Sequence, residues 1–148
     1  MKLLVAIDGS EESNRALAAA VDIASVTDGS ITLIHAIEPD IYDAGGVEPG
    51  SASERRDRLI IDGLDSAEEQ GQSILDEAKA FAEESGLQVS GELRYGRPAQ
   101  IITEFADEGD FDAIYLGHRG LSERTIEFLG SVARDVVERA NVPVTVVR

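Results

Sequence analysis

The sequence contains no cysteine and no tryptophan, and its apolar runs are short. Without cysteine the chain has no disulfide bonds and no thiolate metal sites, so it does not require an oxidising compartment. The apolar run at residues 3–7 ends at Asp8, which makes it too short for a signal peptide or a membrane span. We therefore expect a cytoplasmic protein without membrane insertion.

Positive charge is also scarce, because 13 basic residues stand against 29 acidic ones and only Lys2 and Lys79 are lysines. The resulting net charge of −16 would repel duplex DNA and anionic membranes, which excludes nucleic acid as a partner. Such acidity with so little lysine indicates a halophilic protein, since salt at about 1 M screens charges beyond roughly 3 Å. An ordinary acidic protein is the alternative.

The 148 residues, of which 43% are hydrophobic, are enough for one domain with a sizeable core. Three nearly continuous apolar runs, residues 3–7, 31–37 and 111–117, predict central strands that are covered on both faces. Residues 87–95 place apolar side chains on one face, and the run at residues 142–148 contains Pro143. Both features are typical of edge strands.

Helical periodicity fills the segments between these strands, after residues 8–10, over residues 54–85, from Pro98 and after Ser131. The glycines at positions 63 and 71 weaken the second helix. The alternation predicts an α/β fold, a single doubly wound Rossmann-like domain over residues 1–148 with a five-stranded parallel sheet of order 3-2-1-4-5. Residues 38–53 are rich in proline, glycine and acid and predict a mobile loop, either a lid or a solvated connector.

In this strand order the winding changes direction between strands 1 and 4, where open α/β sheets bind ligands. Residues 8–10 and 117–120 leave the carboxyl ends of these two strands. Glycines there allow backbone N–H groups to approach a ligand, and the helix N-terminus at Gly130 favours phosphate. The alternative is a glycine-rich turn followed by a helix capped by Ser131. A Walker-type phosphate loop and a dinucleotide fingerprint are both missing.

Gly117, Gly120, Gly130 and Ser131 form the pattern G-x-x-G, nine residues, G-S. Together with the opening LLVAIDGSEESNRAL, a histidine late in strand 2, a G-x-P before the third helix and the terminal VPVTVVR, this pattern resembles the universal stress protein family over nearly the whole chain. The resemblance implies binding of ATP with Mg or Mn, and a role as a regulator of a stress response that acts on a protein partner. It also implies a homodimer through the last strand, residues 142–147, and pairing would protect that apolar edge.

The resemblance also implies roles for individual residues. Asp8 would contact the nucleotide, Ala36 and the backbone of Leu116 would line the adenine pocket, and Ser131 and Val132 would contact phosphate. The full predicted set is Asp8, Ala36, Leu116, Gly117, Arg119, Gly120, Gly130, Ser131 and Val132.

The sequence contains two histidines, which we expect to have structural roles. We expect His35 to be a buried, hydrogen-bonded residue of a central strand and His118 to be a solvated spacer between glycines.

The alternatives to a regulator are a nucleotide-independent dimeric interaction module and a weak ATP hydrolase that uses Asp8 and Mg.

Overall fold

The computed structural model describes residues 1–39, 52–120 and 129–148, and for residues 52–62 it describes the backbone alone. Helices and strands alternate along the chain. Their order is β1 (Lys2–Ala6), α1 (Glu11–Thr27), β2 (Ser30–Ile37), α2 (Ala52–Glu83), β3 (Gln88–Tyr95), α3 (Pro98–Glu108), β4 (Ala113–Gly117), α4 (Ser131–Arg139) and β5 (Val144–Val147). Of the predicted mobile loop, residues 40–51 lie outside the described residues. Its predicted end is wrong, because Ala52 and Ser53 already belong to α2.

The five strands form one parallel sheet in the order β3-β2-β1-β4-β5, which confirms the predicted fold class. Among the described strands, β3 pairs only with β2 and β5 pairs only with β4, so both are edge strands as expected. The strand order changes direction at β1. The connections through α1 and α2 place β2 and β3 on one side of β1, whereas the connections through α3 and α4 place β4 and β5 on its other side. This reversal places the ends of β1 and β4 side by side.

Two hydrophobic cores cover the two faces of the sheet, and β1 contributes to both. Leu3 and Val5 pack with residues of α1 and α2 on one face. Leu4 packs with residues of α3 and α4 on the other face. Burial on both faces explains why the central strands are continuously apolar.

The long helix α2 runs through both of the glycines that weakened its prediction. A Cβ on Gly71 would lie 2.8 Å from Cδ2 of His35 and 2.9 Å from Cδ1 of Leu93, so glycine allows α2 to lie close to the sheet. Phe81 is 47% exposed, because Leu75, Ala78 and Ala82 form the stripe of α2 that faces the core. Within the described part of the chain, no helix has both the length and the apolar character needed to cross a membrane.

Candidate functional site

A cavity of about 380 Å³ lies outside the carboxyl ends of β1 and β4. This volume falls in the range of roughly 300–1,000 Å³ that is usual for small-molecule sites. All nine residues predicted from the family resemblance line it: Asp8, Ala36, Leu116, Gly117, Arg119, Gly120, Gly130, Ser131 and Val132. The fold therefore brings together residues from three distant parts of the chain, while their role in binding stays a prediction.

The turn from β1 into α1 forms one edge of the cavity. The backbone N–H of Ser10 donates to Oδ1 of Asp8 at 2.9 Å, and Gly9 between them has a φ of +84°, which favours glycine. The hydroxyl of Ser10 then accepts the N–H of Ser13 at 3.1 Å and so caps α1. These hydrogen bonds hold the carboxylate of Asp8 in a defined orientation at the cavity edge.

Gly117 and Gly120 each make room for a neighbour from this turn. A Cβ on Gly117 would lie 2.8 Å from both the carbonyl carbon and the Cβ of Glu12. A Cβ on Gly120 would lie 2.6 Å from Oδ2 of Asp8. The sequence predicted that these glycines let the backbone approach a ligand, but their first effect is to allow β4 and the segment after it to lie against the start of α1.

The N-terminus of α4 forms the opposite edge of the cavity. Its N-cap residue is Gly130, which has no side-chain capping bond, so the interpretation of Ser131 as the cap is wrong. The N–H of Gly130 donates to the carbonyl of His118 at 2.8 Å. The N–H groups of Val132 and Ala133, in the first turn, have no acceptor among the described residues. This end of α4 is therefore suited to an anion.

His118 connects the cavity to the edge strand β5. Its N–H donates to the carbonyl of Val147 at 2.7 Å, and its carbonyl accepts the N–H of Gly130. Its Nε2 is inaccessible to solvent and has no hydrogen-bond partner in the described part of the chain. The prediction of a solvated spacer is wrong, because the N–H and the carbonyl of His118 bond to neighbouring elements and its Nε2 is buried, while the residue as a whole is half-buried.

An apolar wall closes the cavity between the two edges. Leu116 is 3% exposed, and Ala36 is partly buried at the end of β2. Nδ1 of His35 donates to the carbonyl of Ile7 at 2.8 Å, which confirms the expected structural histidine, although the residue is only partly buried. Side chains from α2 and α3, among them Ile74 and Ile102, also line the cavity. Sequence reasoning missed this second group because only the tertiary packing brings the two helices to the wall.

The charge of Arg119 is partly compensated by an acidic residue that the sequence did not single out. Nε of Arg119 donates to Oε1 of Glu12 at 3.2 Å, and the two side chains are 32% and 16% exposed. The pKa of Glu12 is lowered from its ordinary value of 4.5, first by a hydrogen bond from its own backbone N–H. Burial opposes this change, and the hydrogen bond and charge of Arg119 reinforce it. Glu12 is therefore ionised at neutral pH.

Comparison with known proteins matches residues 1–148 to the Universal stress protein family. The chain belongs to this family. The resemblance that rested on the glycine pattern is therefore confirmed. Universal stress protein MJ0531 of Methanocaldococcus jannaschii is 34% identical to this universal stress protein over 147 residues, which are 99% of this chain and 81% of that protein.

Solved structures of other universal stress proteins have the same fold. The protein from Archaeoglobus fulgidus in complex with dAMP is 26% identical, with a TM-score of 0.68, and the match covers 100% of this chain and 98% of that chain. A universal stress protein in complex with cAMP is also 26% identical, with a TM-score of 0.71, and the match covers 100% of this chain and 97% of that chain. One of those proteins therefore holds dAMP and the other holds cAMP.

We predict that Gly117→Ala destabilises the protein by about 1–3 kcal/mol, because the added methyl group overpacks the contact with Glu12. Urea denaturation would measure the change as a lower midpoint at constant slope. Gly91→Ala is the matched control, since this strand glycine leaves 3.6 Å between a new Cβ and Leu75. An equal loss of stability in both variants would contradict the packing role of Gly117.

The lowered pKa of Glu12 predicts a pH-dependent contribution to stability. A carboxylate whose pKa is lower in the folded state stabilises the protein above its unfolded pKa, and this stabilisation is lost as the pH falls through the folded pKa. We expect the difference in unfolding free energy between wild type and Glu12→Gln to be constant near neutral pH and to shrink below pH 4.5. Urea titrations at several pH values would measure it, and a difference that grows towards acid pH would contradict the assignment. In an Arg119→Gln background the decrease should be smaller and should end at a higher pH, because the folded pKa of Glu12 then lies closer to its unfolded value.

Proposed function

We propose that this universal stress protein is a cytoplasmic, halophilic ATP-binding regulator that works as a homodimer, and that its nucleotide state alters its contacts with a protein partner. The observation that carries the proposal is the convergence of nine sequence-predicted residues on one cavity at the point where the sheet changes winding direction. The complexes of two relatives with dAMP and cAMP support an adenine nucleotide as the ligand class.

The cavity has separate regions that fit the two halves of a nucleotide. Leu116 and Ala36 present an apolar wall that suits a purine base. The amides of Val132 and Ala133 at the start of α4 suit phosphate oxygens. Hydrogen bonds to a charged group contribute roughly 1.5–3 kcal/mol each, and a micromolar complex needs about 8 kcal/mol. Four or five such contacts and a buried base are therefore sufficient before the entropy cost of binding.

A divalent cation fits this site as a partner of the phosphates. Asp8 and Glu38 line the cavity and are both acidic, so a triphosphate would meet negative charge. Among the described residues, no three histidine or acidic side chains are grouped as a metal site. Mg²⁺ typically binds through phosphates with one or two carboxylates and retained waters. We propose that Mg²⁺ or Mn²⁺ enters with ATP, and that Asp8 is positioned to contribute a carboxylate.

The outer edge of β5 supports the proposed dimer through residues 142–147. The carbonyls of Pro143 and Val147 accept N–H groups from β4 and its following residue, so these positions face inward. Because peptide groups alternate along a strand, the N–H and C=O groups of Val144 and Val146 face the outer edge. Pairing of this edge with a second copy of the chain would satisfy them and protect an edge that is prone to aggregation.

We predict that Gly120→Val abolishes nucleotide binding while the protein stays folded, because its side chain displaces Asp8 and enters the cavity. A thermal shift assay with Mg-ATP would test this at high salt. A ligand at 100 times its Kd stabilises the wild type by about 2.7 kcal/mol, which raises Tm by about 5 °C or more.

The control for this experiment is Gly91→Ala, which should keep the full shift because Gly91 lies on β3 and does not line the cavity. Mass spectrometry of small molecules released from freshly purified protein would give an independent answer. If Mg-ATP leaves the Tm of the wild type unchanged and no nucleotide is released, the proposal fails, and the protein is a nucleotide-independent interaction module.

We expect Val146→Pro to convert the dimer into a folded monomer, because proline removes the outward N–H that the proposed pairing uses. Sedimentation velocity at several concentrations would measure the change, and circular dichroism would check the fold. Val26→Ala is the control, since this valine on α1 is 81% exposed and contributes no N–H group to the outer edge of β5. A wild type that sediments as a monomer at all concentrations would contradict the dimer.

A further inference from the structure

We propose that Glu12 is a specificity-determining residue that biases the cavity against highly charged, metal-free nucleotides by compensating Arg119. The proposal rests on the nucleotide function above and adds a residue that the glycine pattern does not include. The ligands it concerns are the free ATP tetra-anion, its Mg²⁺ complex and AMP.

The position of Glu12 is constrained on its backbone side. Its carbonyl carbon and Cβ lie so close to Gly117 that a Cβ at position 117 would be 2.8 Å from each of them. Glu12 also belongs to the first turn of α1, which the hydroxyl of Ser10 caps. The backbone and Cβ of Glu12 are therefore held next to Gly117 of the cavity wall by packing that does not depend on a ligand.

The carboxylate of Glu12 is paired with a cation of the cavity wall. Oε1 of Glu12 accepts a hydrogen bond from Nε of Arg119 at 3.2 Å, and Glu12 is only 16% exposed. Charges at a partly buried pair are screened less by solvent and salt than charges on the surface. Arg119 thus meets an incoming phosphate with much of its positive charge already compensated.

The other charges at the cavity make this compensation important. Of the described residues that line the cavity, Asp8 and Glu38 are acidic and Arg119 is basic. With Glu12 ionised beside Arg119, this group has a negative sum of charges, so its repulsion grows with the negative charge of the ligand. Free ATP is affected most, whereas the Mg²⁺ complex and AMP, with about two negative charges each, are affected less. Glu12 therefore makes binding of the triphosphate depend on the metal.

Isothermal titration calorimetry on the whole protein tests the proposal, with ATP plus chelator, ATP plus Mg²⁺ and AMP as ligands at one ionic strength. We expect Glu12→Gln to raise the affinity for metal-free ATP by about tenfold and the affinity for AMP by about threefold or less. The ratio of the two affinities is the decisive readout, because a merely structural effect of the substitution would change both affinities alike.

Glu11→Gln is the matched control, since it removes one negative charge from the same turn of α1. Glu11 is 83% exposed and pairs with Arg15 instead of Arg119. We expect this variant to leave the affinity ratio within about twofold of the wild type, because an exposed charge is largely screened.

A double-mutant cycle tests whether Glu12 acts through Arg119. In an Arg119→Gln background, Glu12→Gln should change the ratio for free ATP and AMP much less than it does in the wild type. An unchanged ratio of the affinities for free ATP and AMP in Glu12→Gln would overturn the specificity role, and so would equal changes of this ratio in Glu11→Gln and Glu12→Gln. In either case, binding of Mg-ATP by the wild type would leave the proposed function intact. If the wild type binds none of the three ligands, both proposals fail.

Discussion

The close contact between the start of α1 and the end of β4 is the constraint on which the candidate site depends. Gly117 meets the backbone of Glu12 here, and Gly120 meets the carboxylate of Asp8. The contact fixes how the segment after β4 leaves the sheet and where the cavity edge formed by Asp8 lies. A side chain at position 117 would have to push these two elements apart, whereas one at position 120 would have to displace the carboxylate of Asp8.

This contact gives the glycine pattern of the family two physical roles in this chain. Glycine at both positions is required by neighbouring protein atoms, and the same lack of side chains leaves the cavity open above them. Packing and ligand access therefore select the same residue type. For that reason the pattern G-x-x-G alone, without the neighbouring atoms, does not separate a structural glycine from a binding one.

Charge is the second organising feature of the site. A chain of net charge −16 places only one arginine among the described residues of the cavity wall, and it pairs that arginine with Glu12. An anionic ligand at this site would then rely on backbone amides at the start of α4 and on a metal ion, because the described side chains of the wall supply little positive charge. Backbone amides carry no net charge to be compensated, so they serve an anion even in an acidic protein.

Most of the fold could be predicted from the sequence alone. The continuous apolar runs, the Pro143 edge and the alternation of strand and helix predicted the sheet order that the structure has, because burial on both faces leaves a direct record in composition. The family resemblance likewise predicted nine residues that the structure places around one cavity. Tertiary structure alone decided three contacts: the pairing of Arg119 with Glu12, the burial of Nε2 of His118 and the close approach of α2 at Gly71. Such contacts join positions far apart in the chain through distances of a few ångströms, and no local periodicity records them.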